Sequence, residues 1–223
     1  MAITYTVGLN SPTNLWQLIQ DYCESTESSF VANIPTFIVQ AEQRIYNSAQ
    51  LPAARKNVVG ACTANNKYLS LPSDWLAAFS VAVIDPTTNA QTYLVNKDVS
   101  FIRAAYPDPD TAGTPAHYAL FDNNTFILGP TPDLSYNFEM HYFGYPASIT
   151  TAGSSWLGTN FETVLLYGSL REAYLYLKGE QDITTYYEQK YQEGLALLKQ
   201  LVEGKEMRDS YRSGAARIPL MGG

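Results

Sequence analysis

The chain has 223 residues, of which 46% are hydrophobic and only 16% charged, so it can bury a core without the help of disulfides or metal. A formal net charge of -7 opposes unspecific adhesion to nucleic acid, because an acidic surface approaches phosphates without releasing counterions. Cys23 and Cys62 stand far apart with neither CxxC spacing nor a neighbouring histidine, which leaves a zinc site or redox pair nothing to build on. The segment MAITYTVGLNSPTNLW lacks the basic stretch and apolar run of a signal peptide, and no later stretch is long and apolar enough to span a bilayer. The expectation is a chain made and kept in a cytosol, with no membrane partner.

The first helical signal opens at Ser11-Pro12-Thr13, with Leu15, Leu18, Ile19 and Tyr22 recurring on one face. A second helix is expected from an Asn33 cap, with Pro35 in the first turn where its missing N–H costs little, through Phe37, Ile38, Ala41 and Ile45 to about Leu51-Pro52. From Arg55 to Tyr145 the period changes to two and turn residues recur, the pattern of a small antiparallel β domain. Two hairpins are expected. Val58–Thr63 and Lys67–Leu71 flank Asn65-Asn66, and Tyr118–Phe121 and Thr125–Leu128 flank Asn123-Asn124, because asparagine tolerates the positive φ of tight turns. Further strands are expected at Phe79–Ile84, Thr92–Val95 and Tyr136–Tyr142, and the proline-rich segment Tyr106–Asp110 reads as a loop.

Helical periodicity returns after Trp156. Thr159-Asn160-Phe161-Glu162 fits a capping box, and the helix it opens is apolar on several sides, which places it in the centre of a bundle. Gly179 reads as its stop, and Asp182 as the cap of a long final helix carrying Tyr187, Tyr191, Leu195, Leu198, Leu201 and Val202. The fold class is therefore α+β: a helical bundle from segments 1–54 and 146–206, an inserted antiparallel β domain at 55–145, and an extended, basic C-terminal arm at 207–223. Two-helix pieces cannot bury both faces alone, so the N-terminal pair is expected to pack on the C-terminal pair.

Catalytic chemistry finds little support. His117 and His141 both sit in strand-like contexts with no carboxylate or nucleophile at motif spacing, and no GxSxG, HExxH, P-loop or GxGxxG pattern occurs. Asp108 and Asp110 lack the glycine-turned loop and terminal glutamate of a calcium site. Tyr142-Phe143 and Tyr145 could stack bases, but basic residues are not interleaved with them in the sequence. No catalytic residue, metal ligand or cofactor is assigned.

The C-terminal third carries a family likeness. Tyr142-Phe143-Gly144-Tyr145-Pro146, Ile149-Thr150, Trp156-Leu157, Val164 to Leu170, Ala173, Tyr176-Leu177-Lys178 and Tyr187 to Tyr191 follow in an order that resembles phage head-to-tail adaptor proteins, the tail tubular protein A type of the short-tailed phages. The likeness extends to Ala41–Ile45, Tyr68–Trp75 and Gly129–Pro132. It implies a structural, non-enzymatic virion protein at the head–tail junction, assembled in the host cytoplasm. Such a subunit forms a ring, a dodecamer in most members, that docks beneath the portal, extends the DNA channel and meets a tail or nozzle protein. In that family the β domain faces outward or tailward and the helices line the ring. The resemblance assigns Arg208, Tyr211, Arg212, Arg217, Ile218 and Leu220 to the portal, through the arm, and the hydrophobic surfaces of the last two helices put Leu166, Leu170, Tyr174, Leu177, Tyr187 and Tyr191 in subunit packing. The acidic body would let genomic DNA pass without specific binding.

Two other readings compete. One is a virion-associated enzyme acting on cell-wall or capsule polysaccharide, with Asp108 paired to Asp110 or Asp122. The other is a β-sandwich module that recognises a host receptor through some of the chain's 17 tyrosines.

Overall fold

The computed structural model describes residues 2–49, 51–108 and 110–206, the last four as backbone only. The arm expected at 207–223, with Arg208, Tyr211, Arg212, Arg217, Ile218 and Leu220, lies outside the described residues. In chain order the elements are α1 (Leu15–Cys23), α2 (Ser28–Ser48), β1 (Arg55–Ala61), β2 (Tyr68–Ser70), β3 (Ala77–Ile84), β4 (Gln91–Tyr93), β5 (Val95–Asn96), α3 (Val99–Ala105), β6 (Ala112–Gly113), β7 (His117–Asp122), β8 (Thr125–Gly129), β9 (Thr131–Pro132), β10 (Asn137–Phe143), α4 (Ile149–Ala152), α5 (Trp156–Asn160), α6 (Glu162–Tyr176) and α7 (Gln181–Glu206). Two units result, one drawn from Met1–Pro52 and from Pro146 onward, the other Ala53–Tyr145. The architecture is α+β, with helices in the first unit and mainly antiparallel sheet in the second.

In the helical unit α6 is central and packs on α1, α2, α5 and α7, which is why it lacks a single apolar stripe. Gly168 marks the tightest crossing: a Cβ there would lie 3.3 Å from Ala41 Cβ on α2 and 3.3 Å from the Tyr191 ring on α7. The inner face of α7 repeats at helical spacing through Tyr187, Tyr191, Leu195, Leu198 and Val202, all buried, while Leu201 turns outward at 41% exposure. Buried Asn14, just before α1, accepts from Thr6 N–H through Oδ1 and donates through Nδ2 to the Thr6 and Leu9 carbonyls, which folds the preceding segment against the helix start.

Several helix ends differ from the sequence expectation. α2 begins at Ser28 rather than after Asn33 and holds Pro35 in its interior. An interior proline costs about 3 kcal/mol. The extra turns bury Phe30 completely, contributing about 1.5–3 kcal/mol, which offsets most of the lost bond. Asn33 does not cap; its Nδ2 donates to the Ser29 carbonyl. The Thr159–Glu162 capping box does not form, because Thr159 lies inside α5, whose cap is Ser155 Oγ accepting from Gly158 N–H at 3.1 Å. Asp182 sits within the first turn of α7 rather than before it. At the end of α6 the left-handed residue is Lys178 (φ 53°), not Gly179. Gly179 N–H donates to Tyr174 O and Lys178 N–H to Leu175 O, a Schellman closure, and a Cβ on Gly179 would fall into the Tyr174 ring.

The second unit is a sandwich of two four-stranded sheets, ordered β1-β10-β3-β4 and β2-β8-β7-β5. Val81, Val83, Phe138, Met140 and Tyr142 of the first sheet meet Leu69, Tyr118, Phe126 and Leu128 of the second across one core. The hairpin expected at Asn123-Asn124 is present, with Asp122 opposite Thr125 and Asp122 Oδ1 accepting from Asn124 N–H. The one expected at Asn65-Asn66 is not. β1 pairs with β10 and β2 with β8, so the chain crosses between sheets there, with left-handed Asn65 (φ 60°) in the crossing. The strand expected at Thr92–Val95 divides at buried Leu94, β4 joining the first sheet and β5 pairing parallel with β7 in the second. Within the β unit the chain also forms a helix not expected from the period-two pattern, α3, whose Ile102 covers Ala119 and Ile127 on the outer side of the second sheet.

Candidate functional site

The groups that could have carried chemistry are held in local structural roles. Asp108 Oδ1 accepts from Asp110 N–H and its Oδ2 from the Thr111 hydroxyl, an Asx-type turn. Asp122 closes the β7–β8 hairpin. His117 Nδ1 lies 2.9 Å from the Tyr106 hydroxyl, and His141 stacks on Phe79 with Nε2 3.7 Å from Glu139. Burial pushes the Cys23 thiol up to about 12 and the Cys62 thiol up to about 11, which favours the protonated form of both at neutral pH. Among the described residues no three His, Cys, Asp or Glu side chains are grouped so as to hold a metal ion. No helix among them is long and apolar enough to cross a membrane.

The polar groups that are buried or bridged instead tie elements together. Arg44 on α2 reaches Glu172 on α6 at 2.7 Å, and Arg171 joins Glu172 to Glu188 on α7, so two carboxylates and two guanidinium groups link three helices. Glu42 on α2 is 3% exposed and accepts from the Ile149 N–H at the start of α4. In the other unit Lys56 Nζ binds Asp74 at 2.6 Å and the Tyr145 carbonyl at 2.8 Å, and the Tyr142 hydroxyl donates to the same Asp74. The Lys56 ammonium holds the Asp74 carboxyl below its usual value. Tyr136 hydroxyl donates to Asp133 and lies 2.9 Å from Thr114 Oγ1.

Among the described residues, large apolar side chains also stand exposed outside the two cores. Of the six residues assigned to subunit packing, Leu170, Tyr187 and Tyr191 are buried within their own chain, while Leu166, Tyr174 and Leu177 are half-buried. The more exposed apolar positions of these helices are Leu175, Tyr176, Tyr186, Leu197 and Leu201, at 41–63%. Tyr167, Tyr174, Tyr186 and Tyr187 form a chain of ring contacts with centroids 5.3–6.5 Å apart, capped by Lys190 over Tyr186. An open groove of about 440 Å³ runs past Tyr167, Val164, Gly194 and Leu197.

The β unit carries a feature invisible in the linear sequence. The ladders between β10 and β3 and between β7 and β8 each slip by one residue, at Phe79 and at Phe121, and both bulged rings stand exposed. Arg55 lies over Phe79 and Phe143, and Arg103 over Phe121. Cations do accompany the aromatics, through cross-strand pairing rather than sequence neighbourhood: Arg55 stands opposite Phe143.

The family model described as SU10 adaptor protein matches residues 13–218. The chain belongs to the SU10 adaptor protein family. A comparison with curated proteins finds none that matches. As an SU10 adaptor protein it is a structural component of a phage, of the head–tail adaptor kind, and the family is not one of enzymes. The match takes in both units, so the helical bundle and the sandwich belong to one adaptor architecture. In this SU10 adaptor protein the residues behind the initial likeness are mostly packing residues. Ala41 meets Gly168, Glu42 holds α4, Arg44 pairs with Glu172, and Ile45 is buried.

Proposed function

We propose that the protein is a ring subunit at the head–tail junction of a phage, docking beneath the portal, extending the DNA channel and meeting a tail or nozzle protein. Membership of the SU10 adaptor family over residues 13–218 carries this reading. It is supported by the exposed Leu175, Tyr176, Tyr186, Leu197 and Leu201 on helices whose inner faces already fill a core. Apolar area of that kind is stabilised by a neighbouring copy, and repeated heterologous contacts around an axis close a ring. Leu166, Tyr174 and Leu177 belong to this proposed surface through their exposed portions.

A dodecameric ring and kinship with tail tubular protein A are parts of the same proposal. So is the role of Arg208, Tyr211, Arg212, Arg217, Ile218 and Leu220 as the portal-binding arm. The net charge of -7 supports passage of genomic DNA without specific binding. Mass photometry of the full chain mixed with its phage's portal tests the reading. A stoichiometric complex with many copies per portal is expected, and a mixture that stays monomeric contradicts it. Truncation after residue 206 is expected to abolish that complex and leave the helical unit folded.

A further inference from the structure

Backbone bonding in the first sheet fixes which way its two edges point. Cys62 N–H donates to Tyr136 O at 2.8 Å and Gly144 N–H to Ala54 O at 3.0 Å. Bonded pairs alternate along an antiparallel ladder, so Lys56, Val58 and Gly60 bond β10, and the N–H and C=O groups of Asn57, Val59 and Ala61 point away from it. At the other edge Leu94 N–H donates to Val81 O and Asp85 N–H to Ala90 O. The N–H and C=O groups of Gln91 and Tyr93 therefore point away from β3.

The β1 edge is long and regular, and the β4 edge is short but carries neither charge nor proline. β1 runs seven residues with no register shift and no proline, and its two charges are engaged within the chain, Arg55 over Phe79 and Phe143 at the strand's first position and Lys56 with Asp74 and the Tyr145 carbonyl. A single cross-strand row joins the edges: Val59 stands opposite Glu139, Glu139 opposite Ala82, and Ala82 opposite Tyr93. The row begins and ends on apolar side chains that are each 64% exposed. Every neighbour in this sheet is antiparallel, so β1 and β4 run in opposite directions. Placed side by side, β4 of one copy and β1 of an identically oriented copy form an antiparallel pair without any reversal, which is the geometry of a heterologous contact.

We propose that the sheet continues from copy to copy, β4 of one subunit adding to β1 of the next, with Tyr93 and Val59 meeting on the outer face. This rests on the ring reading and names one of its joints. β4 has three residues, so the joint fixes register and direction and adds to the larger apolar contacts rather than replacing them.

A full-length Val59→Cys, Tyr93→Cys variant, assembled into particles and treated with a short bis-maleimide, tests it. Within one chain the two edges are three strand spacings apart, about 14 Å, beyond the linker's reach. The wild-type chain treated alike measures the background from the native thiols, Cys23 half-buried and Cys62 buried. The expected result is a ladder of cross-linked species extending past the dimer, with Val59→Cys alone giving none. Dimers from Val59→Cys alone would overturn the proposal in favour of symmetric β1–β1 pairing. Rings without a ladder would overturn the joint and leave the ring reading standing, whereas particles that hold no ring would overturn both. Val59→Pro gives an independent check, since the Val59 N–H faces away from β10: it should weaken assembly while the isolated subunit keeps its stability.

Discussion

Glu42 on α2 accepts a hydrogen bond from the Ile149 N–H at 3.0 Å, closing the first turn of α4 across 107 residues of sequence. Burial raises the Glu42 carboxyl above its ordinary 4.5, against the opposing effects of Ser148 and Ile149. The folded protein thus binds this proton more readily than the unfolded chain. The stability tied to it is fully present below about pH 4.5 and is lost as pH rises through the higher folded value. Glu42→Gln keeps the acceptor and removes the charge. Urea unfolding should show the variant gaining on the wild type between pH 5 and pH 8; an equal difference at both pH values contradicts the assignment. Glu42→Ala should lose about 1–3 kcal/mol by leaving a buried N–H without a partner.

Asp74 behaves in the opposite sense. Its carboxyl is held down chiefly by Lys56, so its contribution is present above the ordinary 3.8 and is lost as pH falls through the lower folded value. The pair is partly exposed and screened, and Asp74→Asn should cost no more than about 0.2–1 kcal/mol at pH 7. The cost should shrink in high salt, and a salt-independent loss would contradict the ionic account.

Lys178 occupies the left-handed position that ends α6. An L-residue there is strained by about 1–2 kcal/mol, so Lys178→Gly should stabilise the helical unit, by about 0.5–1 kcal/mol after the entropy of the unfolded glycine is counted. A lower melting midpoint would show that the Lys178 side chain contributes something else.

Gly194 lets α7 approach α6: a Cβ there would stand 2.7 Å from Val164 Cγ2, on a buried side chain that is stiff at χ1. Gly194→Ala should destabilise by about 1–3 kcal/mol, offset in part by about 1 kcal/mol of helix propensity. Val164→Ala should relieve the overlap. A double-mutant cycle is expected to give a coupling above about 0.5 kcal/mol, and strict additivity would exclude the contact.

The α+β class was legible because period and composition change together, near Arg55 and again after Trp156. The multi-sided apolar pattern of α6 correctly placed it at the centre of the helices. Local signals failed where tertiary burial outweighed them. Phe30 drew the start of α2 back before Asn33, and Lys178 took the left-handed position expected of Gly179. Asn65-Asn66 has the chemistry of a hairpin turn, but nothing local reveals that its flanking strands lie in different sheets. The surface was hardest to read. Arg55 reaches Phe79 and Phe143 only through strand pairing and a bulge, and the residues first assigned to subunit packing divide between core and surface by one helical position.

A reconstruction of the phage particle, computed without imposed symmetry, tests the central claim most directly. The account predicts several copies of this chain in a closed ring between portal and tail, with residues 207–223 against the portal. Copies confined to outer appendages, or a junction built wholly of other proteins, would contradict it.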